Sequence, residues 1–388
     1  MPAFYEFFAG GGMARAGLGN AWSCLFANDF DAKKVASYQS NWGADDILWR
    51  DVAQVSTSDL PGIPDLVWAS SPCQDFSLAG KGMGLGNSAD EARTRSGSFW
   101  PFWALVTQLR KEGRSPKAVV LENVPGLLTS KGGADFADVC STICASGYRL
   151  GAIQIDAKLF LPQSRARVFI IAVRNDVVIP KALIADGTDS AFTSRAVNAA
   201  FAGLDEAVKK SWISWSLPHP DGKSIPLGKI IEDEPTDVAW HSEKQTAALL
   251  ASMTPLHQGK VEAAKRKKGR AVGTLYRRTR PTIDGGRTVR AEVRFDDVAG
   301  CLRTPSGGSS RQKILVVEDG RVRSRLLSGR EAARLMGLPD SYVLPPRYND
   351  AYHLAGDGVA VPVVRHIAEN LLEPLFANDV QGVLIAAE

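Results

Sequence analysis

The stretch AFYEFFAGGGMARAGLGN, residues 3–20, indicates the fold class of this chain. Residues 3–9 form an apolar, aromatic run typical of a buried strand, three glycines follow, and residues 13–20 suit the start of a helix. Such a turn lets a ligand approach the backbone and offers the free amides of a helix N-terminus. A turn with a purely structural role has the same pattern, so the glycines alone leave both interpretations open.

Strand-like and helix-like patterns continue to alternate up to about Arg174. Further strand-like runs lie at residues 22–28, 65–70, 117–123, 148–157 and 167–173. Helix-like patterns lie at residues 31–42, 98–113 and 134–147. This alternation predicts an α/β fold, with a parallel sheet covered on both faces and ligands bound at the carboxyl ends of its strands.

The pattern weakens after Arg174, where glycine and proline are scattered and the periodicity fades. It returns at residues 328–342, which predict a short helix, and at 359–376, which predict a final helix that begins near Pro362. We therefore expect a ligand-binding α/β domain in residues 1–180 and a second domain in residues 181–300.

The composition excludes several classes of protein. Of the 388 residues, 45% are hydrophobic and 23% are charged, which excludes disorder as the main state. The chain has no run of about 18 apolar residues and no signal-peptide pattern, so we expect a cytoplasmic protein without a membrane partner. The five cysteines include no CxxC pair, so neither a disulfide scaffold nor a metal site is expected.

Positive charge is concentrated in one region. Between Lys260 and Arg294 the chain has 12 lysines and arginines against 3 acids, although the net charge of the whole chain is only +4. This region is either a solvated surface or a surface that binds phosphates. The candidate phosphate-binding residues are Lys265, Arg266, Lys267, Lys268, Arg270, Arg277, Arg278 and Arg280.

Two acids indicate a nucleoside ligand. Asp29 ends the second strand-like run, 17–19 residues after the glycines, where an acid commonly accepts hydrogen bonds from ribose hydroxyls. Asp51 follows the next helix-like pattern and is expected near an adenine. Together with the glycine turn, these acids favour an adenosine-type ligand over a purely structural turn.

Three further segments carry groups suited to chemistry. SSPCQDF (70–76) follows a strand, so Cys73 could be a thiolate nucleophile, although a lone cysteine is often a small buried hydrophobe. LENV (121–124) places Glu122 at the end of the next strand, where a general acid could act beside that thiol. LPQSRARVFIIAV (161–173) contains Gln163, Arg165 and Arg167 at alternate positions, which predicts that they share one face of a strand, although solvated arginines have the same pattern.

These segments, in this order, resemble the bacterial-type DNA (cytosine-5)-methyltransferases. PCQ, ENV and QxRxR in series after FxGxG form a highly specific combination, and residues 301–312, 328–342 and 356–363 resemble the late motifs of that family. The resemblance covers the chain except for roughly residues 176–295. It implies a Rossmann-like S-adenosylmethionine-dependent methyltransferase domain with a smaller, mostly irregular or β target-recognition domain. In this chain the catalytic, cofactor-binding domain would comprise residues 1–180 and 343–388, because the last helix returns to it, and the target-recognition domain would comprise residues 181–342.

The resemblance also implies catalytic roles. Cys73 matches the residue that attacks ring carbon 6 of cytosine, Glu122 the residue that protonates ring nitrogen 3, and Arg167 the residue that holds the cytosine carbonyl and that carboxylate. Asn123 resembles the neighbour that orders the loop and the acid. Arg165 and Gln163 resemble residues that support the loop and DNA phosphates.

The implied cofactor is S-adenosyl-L-methionine, with S-adenosyl-L-homocysteine as the product and no metal. The residues that match cofactor contacts are Phe8, Gly10, Gly12, Asp29, Phe30, Asp51, Val52, Pro72, Phe99 and Asp357. One departure occurs in the late motif, where the family usually has Asn-Ser and this chain has Asp357-Gly358. An ionised aspartate accepts hydrogen bonds but cannot donate them, so its contact would differ from that of asparagine.

The implied partner is double-stranded DNA, from which the target base must be flipped out. The segment after Cys73 resembles a mobile catalytic loop, and the basic stretch gains weight as a DNA-binding face. Besides that stretch, the expected DNA contacts are Gln74, Ser77, Lys81, Arg303, Gly307 and Gly308. We further expect a monomer and either a cognate restriction endonuclease or an orphan role.

Three other functions share some of these features. The same scaffold could methylate RNA, but the long variable region and the basic stretch favour DNA. An inert DNA- or cofactor-binding regulator would not need Cys73, Glu122, Arg165 and Arg167 together. A Rossmann oxidoreductase has no use for the PCQ and ENV series.

Overall fold

The computed structural model describes residues 1–72, 95–186, 191–222, 224–281, 285–303 and 311–377. Six of the expected site residues therefore lie outside the described residues: Cys73, Gln74, Ser77, Lys81, Gly307 and Gly308. The chain divides into two compact units. The first comprises Met1–Asp156, Ala166–Asp221 and the chain from Val359 onward, and the second comprises Ala157–Arg165 and Gly222–Gly358.

These units differ from the expected domains at three places. Residues 181–221 belong to the first unit, residues 343–358 belong to the second, and the short segment 157–165 also belongs to the second. The first difference arises because residues 191–221 add to the first sheet. Leu150 forms an isolated parallel bridge with Trp212, and the amide of Gln154 donates to the carbonyl of Phe192.

The first unit is built on a seven-stranded sheet. Its strands are β1 (Ala3–Phe7), β2 (Ser23–Asp29), β3 (Ile47–Trp49), β4 (Leu66–Ala69), β5 (Ala118–Asn123), β6 (Tyr148–Asp156) and β7 (Ala166–Arg174), in the spatial order β3-β2-β1-β4-β5-β7-β6. The predicted strands are confirmed, and the sequence pattern missed only the three-residue β3. The polar ends of β1, β4 and β5 lie at one edge because these strands are parallel.

The expectation of a wholly parallel sheet is wrong at one strand. β7 lies antiparallel to both β5 and β6. The connection between Asp156 and Ala166 explains this arrangement, because a parallel crossover needs a dozen or more residues and residues 157–165 are fewer. The uninterrupted apolar run of β7 shows that the strand is buried but does not indicate its direction.

Helices cover the faces of this sheet. They are α1 (Met13–Leu18), α2 (Ala32–Trp42), α3 (Phe99–Lys111), α4 (Ala134–Ala145), α5 (Arg195–Ala202), α6 (Glu206–Lys210) and α12 (Val361–Ile367), which continues into a π-helical turn at Ala368–Leu372. The Asp31 carboxylate caps α2 by accepting from the amide of Lys33. Apolar side chains such as Phe102 and Phe136 pack with Ile170 in one core cluster.

The last helix of the first unit packs against its first helix. A Cβ atom on Gly17 would lie 2.4 Å from Cβ of Val364 and 2.8 Å from the carbonyl oxygen of Val361, so only glycine permits this approach. The Arg365 guanidinium donates to the carbonyl of Leu18. The end of the chain therefore completes the structure that the glycine turn begins.

The second unit combines an antiparallel sheet with short helices. Its strands are β8 (Ala271–Pro281), β9 (Arg287–Arg294), β10 (Lys313–Glu318) and β11 (Arg321–Leu326), in the order β11-β10-β8-β9, and its helices are α7 (Leu227–Ile230), α8 (Glu243–Ala251), α9 (Pro255–Lys265), α10 (Gly329–Leu335) and α11 (Tyr348–Asp357). The predicted short helix is α10, which Ser328 caps. The expected mostly irregular or β content understates this unit, which contains both a sheet and several helices.

Among the described residues, no helix combines the length and apolar character needed to cross a membrane.

Candidate active site

The loop after β4 is tied to the end of β5. The Asn123 side-chain amide donates to Ser71 Oγ over 3.1 Å, and its carbonyl oxygen accepts from the amide of Val124 over 2.8 Å. The Ser70 amide donates to the carbonyl of Phe7, so the loop is also fixed to β1. Pro72 is the last described residue before Cys73. The segment that leads to this cysteine is therefore fastened to both neighbouring strands.

Glu122 and Arg167 form an ion pair beside this loop. Nε of Arg167 lies 2.9 Å from Oε1 of Glu122, and the two side chains are 13% and 8% exposed. Glu122 lies opposite Phe169 in the antiparallel pairing of β5 with β7, which brings it beside Arg167. A buried carboxylate needs such a partner, because burial in isolation would cost several kcal/mol.

Gln163 and Arg165 do not share a strand face with Arg167, contrary to the sequence-based expectation. β7 begins at Ala166, so both residues belong to the preceding segment, which is part of the second unit. Alternation holds only within one extended strand, whereas Gln163 forms an isolated bridge with Ala299 and residues 164 and 165 belong to no strand.

Both side chains are buried and bind groups of the second unit. The Gln163 side-chain amide donates to the carbonyl of Leu335 over 2.6 Å. The Arg165 guanidinium donates to the carbonyls of Gly356 and Gly358 over 2.8 and 2.6 Å, and it also lies 3.3 Å from Cys301 Sγ. These partners do not fit the expected phosphate contacts, because buried donors already engaged by the protein are not presented to a DNA backbone.

The glycine turn has the positive φ angles of a tight turn whose backbone a ligand can approach closely. Phe8, Gly10 and Gly12 all have positive φ angles, of 57°, 56° and 76°. A Cβ atom on Gly12 would lie 2.3 Å from Nε1 of Trp42, which itself donates to the carbonyl of Gly11. A Cβ atom on Gly10 would meet nothing within 4 Å among the described residues. Gly12 is therefore needed for packing, whereas Gly10 leaves the backbone open to a ligand.

Glu6, which the sequence pattern did not single out, binds the backbone that directly follows this turn. Its carboxyl oxygens accept from the amides of Ala14 and Arg15 over 3.2 and 3.3 Å, at the start of α1. Burial raises the pKa of Glu6 to about 8, although the Arg15 guanidinium opposes that shift. A single acid within the apolar run AFYEFFA was the available signal.

Asp29 connects the glycine turn to the end of β2. Its carboxylate accepts from the amide of Gly10 and from the amide of Asp31, each over 2.9 Å. Burial raises its pKa, while Lys34 and these two amides act in the opposite direction. Each carboxylate oxygen can accept more than one hydrogen bond, so Asp29 retains capacity for hydroxyl donors.

Two exposed aromatic rings lie beside Asp29. Phe30 is 54% exposed and Trp49 is 63% exposed, and the Trp49 indole donates to the carbonyl of Phe30 over 3.0 Å. Trp49 also lies opposite Asp29 in the pairing of β2 with β3. Large exposed aromatic side chains beside a polar strand end are typical of a binding surface. Trp49 was missed because β3 is too short to show periodicity.

Four further residues expected to contact the cofactor differ from one another in burial and in hydrogen bonding: Asp51, Val52, Phe99 and Asp357. The Asp51 carboxylate caps a short 3-10 turn by accepting from the amide of Ala53 over 2.9 Å. Val52 and Phe99 are buried in the main core cluster. Asp357 ends α11 in the second unit, between the two glycine carbonyls that Arg165 holds.

The basic stretch divides into paired and exposed residues. Lys265, at the end of α9, lies 2.7 Å from Glu262, and Arg270 lies 2.5 Å from Asp233. Arg266, Lys267 and Lys268 are exposed between them. Further along, Arg277, Arg278 and Arg280 are exposed on β8, and Arg303 is exposed near the end of its described segment.

The chain is similar in sequence to known Type II methyltransferases. Type II methyltransferase M.NlaX of Neisseria lactamica is 26% identical over 376 residues, which cover 96% of each protein. Type II methyltransferase M1.ScrFI of Lactococcus lactis subsp. cremoris is 26% identical over 374 residues, covering 95% of this chain and 78% of that protein.

The fold also matches a solved structure. Dnmt2 methyltransferase of S. pombe superposes with a TM-score of 0.58 at 16% identity, covering 97% of this chain and 99% of that one. At that identity the match establishes the fold alone, and it confirms the predicted Rossmann-like α/β class.

The model of the family described as C-5 cytosine-specific DNA methylase matches residues 3–373, which include the glycine turn, the Glu122–Arg167 pair and the last helix. The resemblance drawn from the motifs is thereby confirmed, and the chain belongs to the C-5 cytosine-specific DNA methylases, enzymes that transfer a methyl group to carbon 5 of cytosine in DNA.

Proposed function

We propose that this enzyme methylates a cytosine that is flipped out of a specific short double-stranded DNA sequence, through a covalent adduct between Cys73 and ring carbon 6. The observation that carries the proposal is the Glu122–Arg167 pair beside the loop that leads to Cys73. A carboxyl at the end of β5, beside the residues that precede Cys73, suits acid-assisted addition by that thiolate.

The chemistry follows from the weak nucleophilicity of carbon 5. The Cys73 thiolate adds to carbon 6 while the Glu122 carboxyl donates a proton to ring nitrogen 3, so the ring becomes an enamine and carbon 5 becomes nucleophilic. When bound, S-adenosylmethionine supplies an electrophilic methyl group and leaves as S-adenosylhomocysteine. Carbon 5 then loses its proton to a base, and elimination of the Cys73 thiolate restores the aromatic ring while ring nitrogen 3 returns its proton to Glu122.

Arg167 holds the acid and the substrate in this scheme. Its Nε–H is engaged by Glu122 over 2.9 Å, which fixes the carboxyl relative to the β7 strand. Its Nη1 donates to the carbonyl of Ala166 over 2.9 Å, and we assign one further guanidinium donor to the cytosine carbonyl at ring carbon 2. Asn123 fixes the residues that precede Cys73 through its hydrogen bond to Ser71. We assign Arg165 and Gln163 as positioning residues, because their donors bind carbonyls of the second unit.

The residues of the glycine turn fit an adenosine-type methyl donor. The open side of Gly10 admits the ligand's methionine part, and Asp29 accepts from ribose hydroxyls. We assign Phe30 to the adenine face and Asp51 to its polar edge. The other proposed contacts are Phe8, Gly12, Val52, Pro72, Phe99 and Asp357.

The second unit is proposed as the target-recognition domain. Its exposed cations Arg266, Lys267 and Lys268 suit contacts with DNA phosphates, and neutralising any one of them should reduce the slope of log affinity against log salt by about 0.9. Gln74, Ser77, Lys81, Arg303, Gly307 and Gly308 complete the proposed DNA contacts. The names of the Type II relatives also suggest a cognate restriction endonuclease, and we propose that the enzyme acts as a cytoplasmic monomer.

A bacterial host that lacks cytosine methylation provides the test. Expression of the wild type, followed by conversion sequencing of the genome, should show methylated cytosines confined to one short motif. Cys73→Ala should abolish that methylation yet still bind S-adenosylmethionine in calorimetry. Residual methylation by this variant would refute the covalent step. A folded, cofactor-binding wild type that leaves the genome unmethylated would refute the DNA substrate and shift the assignment to RNA.

A further inference from the structure

A two-stranded arm extends from the sheet of the second unit. β10 pairs with β8 only from Ala271 to Leu275, whereas β9 pairs with β8 as far as Pro281. Residues 277–281 and 287–290 are therefore flanked by no third described strand, and we call these two segments the arm. At about 3.4 Å per residue, five residues reach about 17 Å, and a two-stranded ribbon of this kind fits the major groove of DNA.

The arm is strongly basic, and its arginines are divided between two faces. Arg278 lies opposite Arg290, and Arg280 lies opposite Thr288, so these residues share one face, which we call the outer face. Arg277, Val289 and Arg287 share the opposite face, which continues towards the small core around Leu275 and Ala291. The outer face therefore presents arginines without a core beneath them.

A single carboxylate organises the outer face. Glu292 accepts from Nε of Arg280 over 2.5 Å and from Nη2 over 2.8 Å, and it lies 3.4 Å from Nε of Arg278. The hydrogen bond to Arg280 lowers the pKa of Glu292, so this carboxylate is ionised at neutral pH. Two parallel bonds fix the plane of a guanidinium, which a single bond would not do.

This pairing occupies one edge of the Arg280 fork and leaves the other edge for a ligand. The bonds to Glu292 use Nε and Nη2, so the edge formed by Nη1 and the second Nη2 hydrogen is directed away from the carboxylate. Its two donors match the spacing of O6 and N7 of guanine, the acceptor pair that arginine commonly reads in the major groove. An unpaired arginine would serve a phosphate equally well, but a fixed planar fork favours a base edge.

We propose that Arg280, held by Glu292, reads a guanine of the target sequence from the major groove. This assignment rests on the proposed function, since it presumes a double-stranded DNA substrate. Arg280 is the specificity-determining residue and Glu292 is a positioning residue that acts through it. Arg287, on the opposite face of the same arm, contributes charge alone.

The test compares single-residue variants of β8 and β9 in a host that lacks cytosine methylation. Arg280→Ala should relax the methylated motif at one G·C position, lowering the preference for guanine there by about tenfold to a hundredfold. Arg280→Lys should relax the same position, although it keeps the charge, because lysine lacks the fork. Glu292→Gln should relax that position to a smaller extent, and Arg287→Ala should keep the wild-type motif.

Each other outcome has a distinct meaning. An unchanged motif in Arg280→Ala and Arg280→Lys would overturn the base-reading assignment and leave the proposed function intact. Equal losses of DNA affinity in Arg280→Ala and Arg287→Ala, with no change of motif, would make both residues phosphate contacts and overturn it too. A wild type that methylates no genomic cytosine would remove the proposed function and, with it, this inference.

Discussion

Two of the arginine–glutamate pairs in this molecule lie in contrasting surroundings. Arg167 and Glu122 lie at the strand ends of the first unit with 13% and 8% of their side chains exposed. Arg280 lies on the arm of the second unit and Glu292 lies on β9 just outside the arm, with 47% and 21% exposed. Water screens the second pair and hardly reaches the first, so the same two groups suit acid chemistry in one place and recognition of a base in the other.

The largest expected effect concerns the carboxyl of the buried pair. Glu122→Gln cannot donate a proton as an acid does, so methyl transfer in a single turnover should be slower by about 10²–10⁴-fold. Binding of S-adenosylmethionine, measured by calorimetry, should be unchanged. Glu292→Gln is the matched control and should retain the rate at the wild-type motif to within a few fold. Comparable losses of rate in both variants would erase the distinction between the pairs.

The next largest effect concerns stability. Arg167→Ala leaves Glu122 buried without its cation and should lower the free energy of unfolding by about 3 kcal/mol. Arg280→Ala removes a half-exposed partner and should cost less than about 1 kcal/mol. Urea titrations of both variants measure the difference. Similar values for the two would mean that burial does not separate these pairs.

Two glycines of the turn sharpen the comparison within the first unit. Gly10→Ala should cost about 1–2 kcal/mol for its left-handed backbone, together with a marked loss of cofactor affinity. Gly12→Ala should cost about 1–3 kcal/mol more, because the new methyl group must displace the Trp42 indole. Thermal unfolding and cofactor titration on the same samples test both. A larger loss of stability in Gly10→Ala would reverse the roles assigned to the two glycines.

The remaining expected effect is a pH dependence of opposite sign in the two units. Burial raises the pKa of Glu6 from its ordinary value of 4.5 to about 8, so its contribution to stability is complete below pH 4.5 and declines as the pH rises towards 8. The hydrogen bond to Arg280 lowers the pKa of Glu292, so its contribution is present above pH 4.5 and is lost as the pH falls.

Urea titrations between pH 4 and pH 9 separate these contributions. Glu6→Gln should flatten the dependence on the neutral side, and Glu292→Gln should flatten it on the acid side by a smaller amount, because that pair is partly solvated. Each variant serves as the control for the other. A wild type whose stability rises steadily from pH 5 to pH 8 would contradict the direction assigned to Glu6.

The sequence predicted the features of the first unit that depend on periodicity. The first strand, the glycine turn and the strand before Glu122 are local patterns of apolar residues, and each is found where expected. The direction of β7 was not predictable from its apolar run. The short connection at residues 157–165 was the available signal, because a parallel crossover needs more residues. The same connection places Gln163 and Arg165 before the strand.

The second unit was less predictable because its contacts join distant residues. The outer half of β8 alternates arginine with threonine and proline, so no apolar period marks it as a strand. The pairing of Arg280 with Glu292 arises from the register of β8 with β9, and the sequence alone does not show it because the two residues are twelve positions apart. Charge density indicated a binding region there, but only the register assigns its arginines to two faces.

The contact of Gly17 and Leu18 with the last helix has a consequence for protein synthesis. The carbonyl of Leu18 and the guanidinium of Arg365 are 347 positions apart. At about 5–20 residues per second, the ribosome takes roughly 20–70 s to synthesise the chain between these two residues. Throughout that time the nascent chain keeps a glycine-lined surface uncovered. α12 therefore cannot cover α1 until residues 361–367 have been synthesised.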